Sequence, residues 1–336
     1  AIINSMKVLL YLEAENYLSK SGIGRAIKHQ ERALNMVGQA YTINPEDDYD
    51  LIHINTYGLR SGYLLHQAKR AGKKVIVHGH STEEDFRNSF IGSNLVSPLV
   101  KRYLRHFYQT ADAVITPTEY SKSLIAGYGV QTPIYVVSNG IDLSRYVPNP
   151  QKEQAFRDYF KLKSDDKVVI CAGLYFMRKG IDDFIKVAEQ MPDVRFIWFG
   201  DTNKWVIPHK VRRLVEHDHP ENVTFAGYIK GDVFEGAMSG ADAFFFPSRE
   251  ETEGIVVLEA LASHQRVVLR DIPVYKGWLD DKSATFASDV PGFVKALRQV
   301  LADKTSTREA GYHVAESRSI DKVAHELVQV YEKVME

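Results

Sequence analysis

Two carboxylates, Glu251 and Glu259, stand eight positions apart in the segment REETEGIVVLEALASHQ, with Gly254 between them. The segment follows an apolar run and then takes helical spacing, which places Glu251 on a strand-to-helix loop and Glu259 on the helix. A loop carboxylate accepts hydrogen bonds from vicinal hydroxyls, and sugars and riboses present such diols. Gly254 lets the backbone pass close to a ligand. The alternative interpretation makes both residues ordinary acids favoured by the helix dipole.

Two cations precede a second strand-to-helix turn. Arg178 and Lys179 stand directly before Gly180 in GLYFMRKGIDDFIKVAEQ. Together with the free amides of a helix entry they suit a diphosphate, because charge-assisted hydrogen bonds contribute about 1.5–3 kcal/mol each. The alternative is a pair of solvated loop cations.

A third turn contributes glycines. Gly22 and Gly24 lie between an apolar run and a helix-length segment near the start of the chain. A nicotinamide-binding fingerprint would need a glycine where Ile27 stands and an acid where Thr42 stands, so a nicotinamide enzyme is disfavoured. Close approach of a phosphate or a sugar to the bare backbone at Gly22 stays open.

Two histidines follow another predicted strand. His78 and His80 stand in HGHSTEEDF, with three acids just beyond them at 83–85. The spacing is not a typical zinc pattern and no cysteine is near, so we expect no metal site. Two interpretations are left: buried structural histidines, or a histidine in a cleft that bonds a sugar hydroxyl.

Short apolar runs alternate with helix-length amphipathic segments, a pattern typical of parallel strands joined by helical crossovers. The predicted strands are 7–13, 51–55, 74–80, 113–118 and 133–139 in the first half and 167–175, 194–201, 223–229, 243–248 and 266–271 in the second. We therefore predict an α/β protein with two doubly wound, Rossmann-like domains. They are expected to face a central cleft that holds the ligands at the carboxyl ends of the strands.

Prolines at Pro148 and Pro150 mark the predicted join between the domains. We predict an N-terminal domain over 1–148, a C-terminal domain over 149–320 and a terminal helix over 321–336. The apolar residues of the terminal helix are spaced to bury one face. Packing against the N-terminal domain is one option for it.

Composition and charge exclude some classes of protein. The net charge is −1 over 336 residues, and the longest apolar run, Val168–Phe176, is too short to span a bilayer. Between Leu51 and Ala111, nine residues are Lys or Arg and only three are Asp or Glu. This excess of positive charge favours an anionic partner. The start of the chain lacks a basic leader, and the single cysteine, Cys171, falls in a predicted strand. We expect a cytoplasmic protein that does not bind nucleic acid.

Together these segments resemble the retaining glycosyltransferases of the GT-B fold, family four, over nearly the whole chain. The most specific piece is the family's E-x7-E element, present as Glu251 and Glu259 with an LEA triplet around the second acid. Supporting pieces are the SNGID turn at 138–142, the KG pair at 179–180 and the glycine loop around Gly22.

The resemblance implies a nucleotide-sugar donor and a role for each matching position. Glu251 would contact the hexose of the donor, Glu259 the ribose hydroxyls and Lys179 the diphosphate. The amides of Gly254 and Ile255 would face the sugar.

The chain departs from the family pattern at one position. The family commonly has glycine-arginine where Gly173 and Leu174 stand, and that arginine joins the lysine on the diphosphate. Leu174 cannot do so, and Arg178 is the candidate substitute. If Arg178 points elsewhere, the donor site is weaker than the family norm or is built differently.

The resemblance also implies a mechanism. Lys179, Arg178 and helix N-termini would stabilise the departing diphosphate in place of a divalent metal, so neither a metal nor a cofactor is expected besides the UDP-sugar substrate. Glu251 and His80 complete the predicted catalytic set. His80 matches the family's histidine near the anomeric carbon, on the acceptor side.

Two short sequence segments indicate a lipid acceptor. ETEGIVVLEALAS and HSTEEDF are similar to segments of bacterial glucosyl- and galactosyl-diacylglycerol synthases. Between 93 and 109, helical spacing places Lys101, Arg102 and Arg105 opposite one apolar face. That face comprises Leu95, Val96, Leu99, Val100, Tyr103, Leu104 and Phe107. Such a helix can rest on an anionic membrane, where three cations contribute about 3 kcal/mol. The alternative is a crossover helix packed on its own sheet.

We therefore expect a retaining, metal-independent hexosyltransferase. It would move glucose or galactose from a UDP-sugar to diacylglycerol or its monoglucosyl derivative, while bound peripherally to the inner face of the cell membrane. One alternative is the same fold acting on a soluble or polyprenyl-linked saccharide for capsule or wall assembly. The other is a non-catalytic protein that binds a nucleotide sugar.

Overall fold

Two parallel sheets of six strands form the framework of the chain. The computed structural model describes residues 6–14, 18, 21–303 and 307–336. Its strands are β1 (Val8–Tyr11), β2 (Tyr41–Thr42), β3 (Leu51–Ile54), β4 (Lys74–His78), β5 (Ala113–Thr116), β6 (Ile134–Val136), β7 (Lys167–Ala172), β8 (Val194–Phe199), β9 (Val223–Gly227), β10 (Ala243–Phe246), β11 (Val267–Arg270) and β12 (Thr285–Ala287). The strand order is β2-β1-β3-β4-β5-β6 in the first sheet and β12-β11-β10-β7-β8-β9 in the second.

Helices connect the strands. They are α1 (Gly22–Val37), α2 (Leu59–Arg70), α3 (Glu83–Phe86), α4 (Ser93–Thr110), α5 (Glu119–Gly127), α6 (Pro150–Tyr159), α7 (Ile181–Glu189), α8 (His209–Glu216), α9 (Asp232–Gly240), α10 (Ile255–Ala262), α11 (Val290–Ala302), α12 (Arg308–Ser317) and α13 (Ile320–Met335). The prediction of two doubly wound α/β sheets is confirmed. Only β2 and β12 were not predicted, because they are two and three residues long and half-buried, without an apolar run.

The chain divides into two compact units. The first comprises Ala1–Glu84, Leu95–Gly140 and Arg318–Glu336, and the second comprises Asp85–Asn94 and Ile141–Ser317. The structure thus assigns Ile141–Val147 to the second unit, ahead of the sequence-based boundary at 148.

The C-terminal helix α13 belongs to the core of the first unit. Val323, Leu327, Val330 and Tyr331 pack in one cluster with strand residues of the first sheet. Their spacing of three and four positions puts them on one helix face, which the sheet covers. The first unit is therefore completed by the last residues described in the chain.

Aromatic side chains fill the second unit. Phe184 of α7 packs edge-on against Trp198 at 5.1 Å and stacks on Phe245 at 5.9 Å between ring centroids. Strands buried on both faces read as continuous apolar runs, which is why β7, β8 and β10 could be located from sequence. Because β7 and β10 are neighbours in the sheet, the loops that follow them meet at its carboxyl edge.

Candidate active site

An ion pair joins the loops that follow β7 and β10. The Lys179 ammonium donates to a carboxylate oxygen of Glu251, and Ser248 Oγ donates to the same oxygen at 2.6 Å. The two charged side chains are only 13% and 9% exposed. Burial acts to raise the pKa of Glu251, but the charges of Lys179 and Arg178 outweigh it and hold that pKa below its usual value. Glu251 is therefore ionised at neutral pH, with a cation beside it.

Arg178 lies beside this pair but is held by protein groups. Its Nη1 is 2.8 Å from Asp85 Oδ1 and 3.7 Å from Glu251 Oε1. The same nitrogen donates to Glu250 O at 2.8 Å, and Nε donates to Ser89 Oγ at 3.2 Å. The structure thus brings Arg178, Lys179 and Glu251 together, as expected from the sequence. Whether Arg178 serves a diphosphate stays a prediction, because these contacts occupy its guanidinium.

Glycines set the backbone of the first loop. Gly180 has φ +80°, and a Cβ at this position would lie 2.3 Å from Pro247 O, so only glycine fits between the two loops. Gly173 directly follows β7, and its carbonyl accepts a hydrogen bond from Trp198 Nε1 at 2.9 Å. A Cβ at Gly173 would lie 3.7 Å from Lys179 Cδ. Gly173 therefore lies against the lysine side chain.

The N-terminus of α10 follows the Glu251 loop. Gly254 caps the helix with φ +92°, a conformation that L side chains rarely adopt, and Ile255 is the first helical residue. The first amides of a helix have no intrahelical acceptors and carry partial positive charge. Gly254 and Ile255 thus stand at the positively polarised end of α10, three and four residues after Glu251.

Glu259 is buried on α10, where its charge acts on Arg145. Burial acts to lower the pKa of Arg145, but Tyr146, Glu235 and Glu259 raise it above its usual value. Arg145 Nε also donates to Glu235 Oε1 at 2.8 Å. Sequence reasoning did not identify Arg145, although it stands close after the SNGID turn.

A charge network that sequence reasoning missed braces the Glu251 loop. Arg249 Nη1 donates to Asp182 at 2.8 Å and its Nη2 to Asp183 at 3.0 Å. Arg270 Nη2 donates to Asp183 at 2.6 Å. Arg249 and Arg270 both stand at the carboxyl ends of neighbouring strands, and that position could have identified them.

Tyr275 is a second residue that was missed. Its side chain is buried, and its hydroxyl has no hydrogen-bond partner within the described ranges. The hydroxyl would lie 3.8 Å from a Cβ at Gly254. Burial raises the pKa of Tyr275, and the charges of Glu251 and Cys171 act in the same direction. A lone tyrosine after β11 gives no pattern from which this placement could be predicted.

His80 lies in the first unit, directly beyond β4. Its ring stacks on His78 at 3.9 Å between centroids, and its Nε2 is 2.7 Å from Asn55 Oδ1. Burial disfavours the charged ring and lowers the pKa of His80 to about 3. His80 is therefore neutral at physiological pH. Its role at a sugar stays a prediction.

The acids beyond His80 do not gather around the histidines. Tyr128 donates to Glu84 at 2.5 Å, while Asp85 pairs with Arg178. Among the described residues, no group of three His, Cys, Asp or Glu side chains is placed to hold a metal ion.

Gly22 is exposed at the first position of α1. Ser21 caps this helix by accepting a hydrogen bond from the Gly24 amide at 3.3 Å. A Cβ at Gly22 would meet nothing within 4 Å, so neither packing nor a close contact requires glycine there. Part of the preceding turn, 15–17 and 19–20, lies outside the described residues, and the donor-binding role of Gly22 stays a prediction.

The apolar residues of α4 are covered unequally along the helix, and membrane contact by its apolar face stays a prediction. Leu104 and Phe107 are buried in the core of the first unit. Leu95 and Leu99 are 86% and 68% exposed, and Tyr103 is 42% exposed. The helix turns its C-terminal half into the sheet, which leaves the apolar residues of its N-terminal half at the surface.

The three cations predicted for α4 also differ. Arg102 and Arg105 are exposed. Lys101 is half-buried, with its ammonium 3.8 Å from Glu83 Oε2 and 5.0 Å from the centroid of the Tyr128 ring. Arg102 and Arg105 thus stand at the surface close to exposed leucines, whereas Lys101 has partners inside the unit. No helix in the described part of the chain is long and apolar enough to cross a membrane.

Comparisons with known proteins identify the class of enzyme. The family described as Glycosyltransferase Family 4 matches residues 12–145, and the family described as Glycosyl transferases group 1 matches residues 152–317. Anabaena HepE, solved in complex with UDP-glucose, superposes with a TM-score of 0.80 at 15% identity, over 98% of this chain and 100% of that one. The fold is that of the GT-B glycosyltransferases.

Two relatives narrow the class. The processive diacylglycerol alpha-glucosyltransferase of Acholeplasma laidlawii is 48% identical over 98% of this chain and 99% of its own length. The alpha-galactosylglucosyldiacylglycerol synthase of Streptococcus pneumoniae is 26% identical over 79% of this chain and 72% of its own. The chain belongs to glycosyltransferase family four and is a retaining hexosyltransferase.

Proposed function

We propose that this chain transfers glucose from UDP-glucose to diacylglycerol, with retention of the α configuration, and that the monoglucosyl lipid is also an acceptor. The observation that carries the proposal is the 48% identity, over nearly the full length of both chains, to a processive diacylglycerol alpha-glucosyltransferase. The paired Lys179 and Glu251 at the N-terminus of α10 supply the chemistry that a nucleotide-sugar donor needs.

The donor is proposed to bind in the second unit. Its diphosphate would take over the Lys179 ammonium and the first amides of α10, because both stabilise negative charge. Glu251 would then exchange its bond to Lys179 for hydroxyls of the hexose. Glu259, buried further along α10, would bind the ribose hydroxyls.

The transfer step is proposed to need no protein nucleophile. The bond between the anomeric carbon and the phosphate oxygen breaks, and the acceptor hydroxyl oxygen bonds to that carbon on the same face. The hydroxyl proton passes to the departing phosphate oxygen, and UDP leaves. Lys179 stabilises the negative charge that grows on the diphosphate, and such preorganised electrostatic stabilisation is usually what lowers an enzyme's activation barrier most.

The acceptor is proposed to be reached from a membrane surface by the first unit. Exposed Leu95 and Leu99 stand one to three turns of α4 from exposed Arg102 and Arg105, so α4 offers both apolar and cationic groups to lipid. We infer that the enzyme associates peripherally with the anionic inner face of the cell membrane.

A donor-by-acceptor assay tests the proposal. Radiolabelled UDP-glucose and UDP-galactose are each offered with diacylglycerol, monoglucosyldiacylglycerol, a polyprenyl-linked sugar and free sugars. We expect label in mono- and diglucosyl lipid from UDP-glucose. Label only in soluble or polyprenyl-linked products, or binding of UDP without transfer or donor hydrolysis, would contradict it.

A further inference from the structure

Three imidazoles form a column inside the first unit. His53 and His78 stack at 5.1 Å between ring centroids with planes 13° apart, and His78 and His80 stack at 3.9 Å with planes 12° apart. All three side chains are buried. Stacking fixes the plane of the His80 ring but leaves open which of its nitrogens carries the hydrogen.

Two buried side-chain amides, those of Gln30 and Asn55, lie beside these rings. Gln30 and Asn55 bond to each other reciprocally: Gln30 Nε2 donates to Asn55 Oδ1 at 2.8 Å, and Asn55 Nδ2 donates to Gln30 Oε1 at 3.0 Å. Asn55 Oδ1 is also 2.7 Å from His80 Nε2. Asn55 therefore turns an acceptor oxygen toward His80.

The surroundings favour this orientation of Asn55. Its Nδ2 also faces the His53 carbonyl at 3.5 Å. If the amide were reversed, its oxygen would face that carbonyl, and two acceptors would meet in a buried site without a hydrogen between them. In the observed orientation Gln30 Nε2 also lies 3.3 Å from His78 Nδ1, whose nearer neighbour is His53 Nε2 at 2.9 Å.

We propose that Asn55, held by Gln30, is a positioning residue that keeps His80 in the tautomer with its hydrogen on Nε2, so that the Nδ1 lone pair accepts a hydrogen bond from a substrate hydroxyl. The inference rests on the proposed function, whose donor hexose and glucosyl lipid supply such hydroxyls. His80 Nδ1 makes no hydrogen bond to the described residues. It is also not one of the side-chain nitrogen and oxygen atoms that are buried without a partner, so it is open to a ligand.

The buried setting also defines what His80 does with that hydroxyl. Its pKa of about 3 makes the ring a weak base at neutral pH. His80 therefore accepts a hydrogen bond from a hydroxyl that keeps its hydrogen, whereas the hydrogen of the reacting acceptor hydroxyl goes to the departing phosphate oxygen.

Nitrogen NMR tests the tautomer directly. The protein is labelled with 15N-histidine, and His80 is assigned by the loss of its signals in His80→Phe. We expect His80 Nε2 to show the shift of a protonated ring nitrogen and Nδ1 that of an unprotonated one. A His80 ring with its hydrogen on Nδ1 would overturn the inference.

Variants of the amide pair test the cause. Asn55→Ala should populate both tautomers of His80 and lower kcat by about 10-fold or more, while KM for UDP-glucose stays near its wild-type value. Gln30→Ala, which keeps Asn55 but frees its amide, should mix the tautomers too and serves if Asn55→Ala does not fold.

The matched control is Gln265→Ala in the second unit, a buried amide that donates to Ala241 O at 2.7 Å and should leave His80 unchanged. Unmixed tautomers in both amide variants would remove Asn55 from this role.

The two readouts separate the inference from the proposed function. The tautomer is measured without turnover. If the His80 hydrogen is on Nε2 and the protein forms no glycolipid, the inference is supported and the proposed function fails. A protein that forms glucosyl lipid with the hydrogen on Nδ1 would do the reverse.

Discussion

Lys179 has two partners, the Glu251 carboxylate in this structure and the proposed diphosphate in the donor complex. A buried cation that loses its partner is costly, so the exchange must be nearly balanced. Stability and activity at this position can therefore be separated by mutation.

Lys179→Met should reduce turnover by about 10²-fold or more, because it removes one preorganised donor from a developing anion. It should also destabilise the fold, since the Glu251 carboxylate is left buried with Arg178 3.7 Å away. The double variant Lys179→Met/Glu251→Gln should recover most of that stability but no activity. Steady-state kinetics and urea unfolding measure the two effects, and near wild-type turnover in Lys179→Met would remove Lys179 from the site.

Glu251 makes part of the stability of the second unit depend on pH. Its folded-state pKa lies below the usual value of 4.5, so its stabilisation is fully present above that pH and is lost as pH falls through the lower, folded-state pKa. Wild type should therefore be more stable than Glu251→Gln at pH 7, and the difference should shrink toward pH 3. Urea midpoints across this range measure it. A difference that stays constant with pH would show that folding does not lower the pKa of this carboxylate.

At the level of elements, Gly254 controls how α10 begins. Gly254→Ala forces a side chain into φ +92° and places its Cβ 3.3 Å from Val257 Cγ2. Gly277 offers a matched control, because it has φ +90° with nothing within 4 Å of its Cβ position. Both variants should lose roughly 1–3 kcal/mol of stability, but only Gly254→Ala should raise KM for UDP-glucose. Equal kinetics in the two variants would mean that the start of α10 does not contact the donor.

Membrane binding by α4 can be tested by charge removal. Arg102→Gln/Arg105→Gln should weaken binding to anionic vesicles by about 2 kcal/mol, about 30-fold, because each cation near such a surface contributes about 1 kcal/mol. Hydrolysis of the donor by water should be unaffected. The control is Lys282→Gln/Lys295→Gln, which removes two exposed charges from the second unit. Sedimentation that falls equally in both variants would assign binding to net charge rather than to α4.

The elements that sequence could locate are those whose pattern is local. β7, β8 and β10 are continuous apolar runs, and the loops with Lys179 and Glu251 follow them directly. How far α4 is buried could not be predicted, because periodicity shows which residues share a face, not how much of the helix the sheet covers. The pairing of His80 with Asn55, like the placement of Tyr275, joins residues distant in sequence, and no local pattern encodes it.

At the level of the whole molecule, the first unit is closed by the last helix of the chain. Leu327 is buried in its core, and Tyr331 shares a 2.7 Å hydrogen bond with His53. Leu327→Ala should cost about 2–5 kcal/mol, and a variant ending at Ser317 should leave the first unit unfolded. Hydrogen exchange resolved along the chain measures this. Full protection of β3 and β4 in the shortened variant would contradict it.

The central claim is that the donor's diphosphate is held by Lys179 and the start of α10. A crystal structure with UDP bound tests it most directly. We predict pyrophosphate oxygens about 3 Å from Lys179 Nζ and from the Gly254 or Ile255 amide, with the ribose at Glu259. A nucleotide bound elsewhere, with Lys179 still paired to Glu251, would contradict the account.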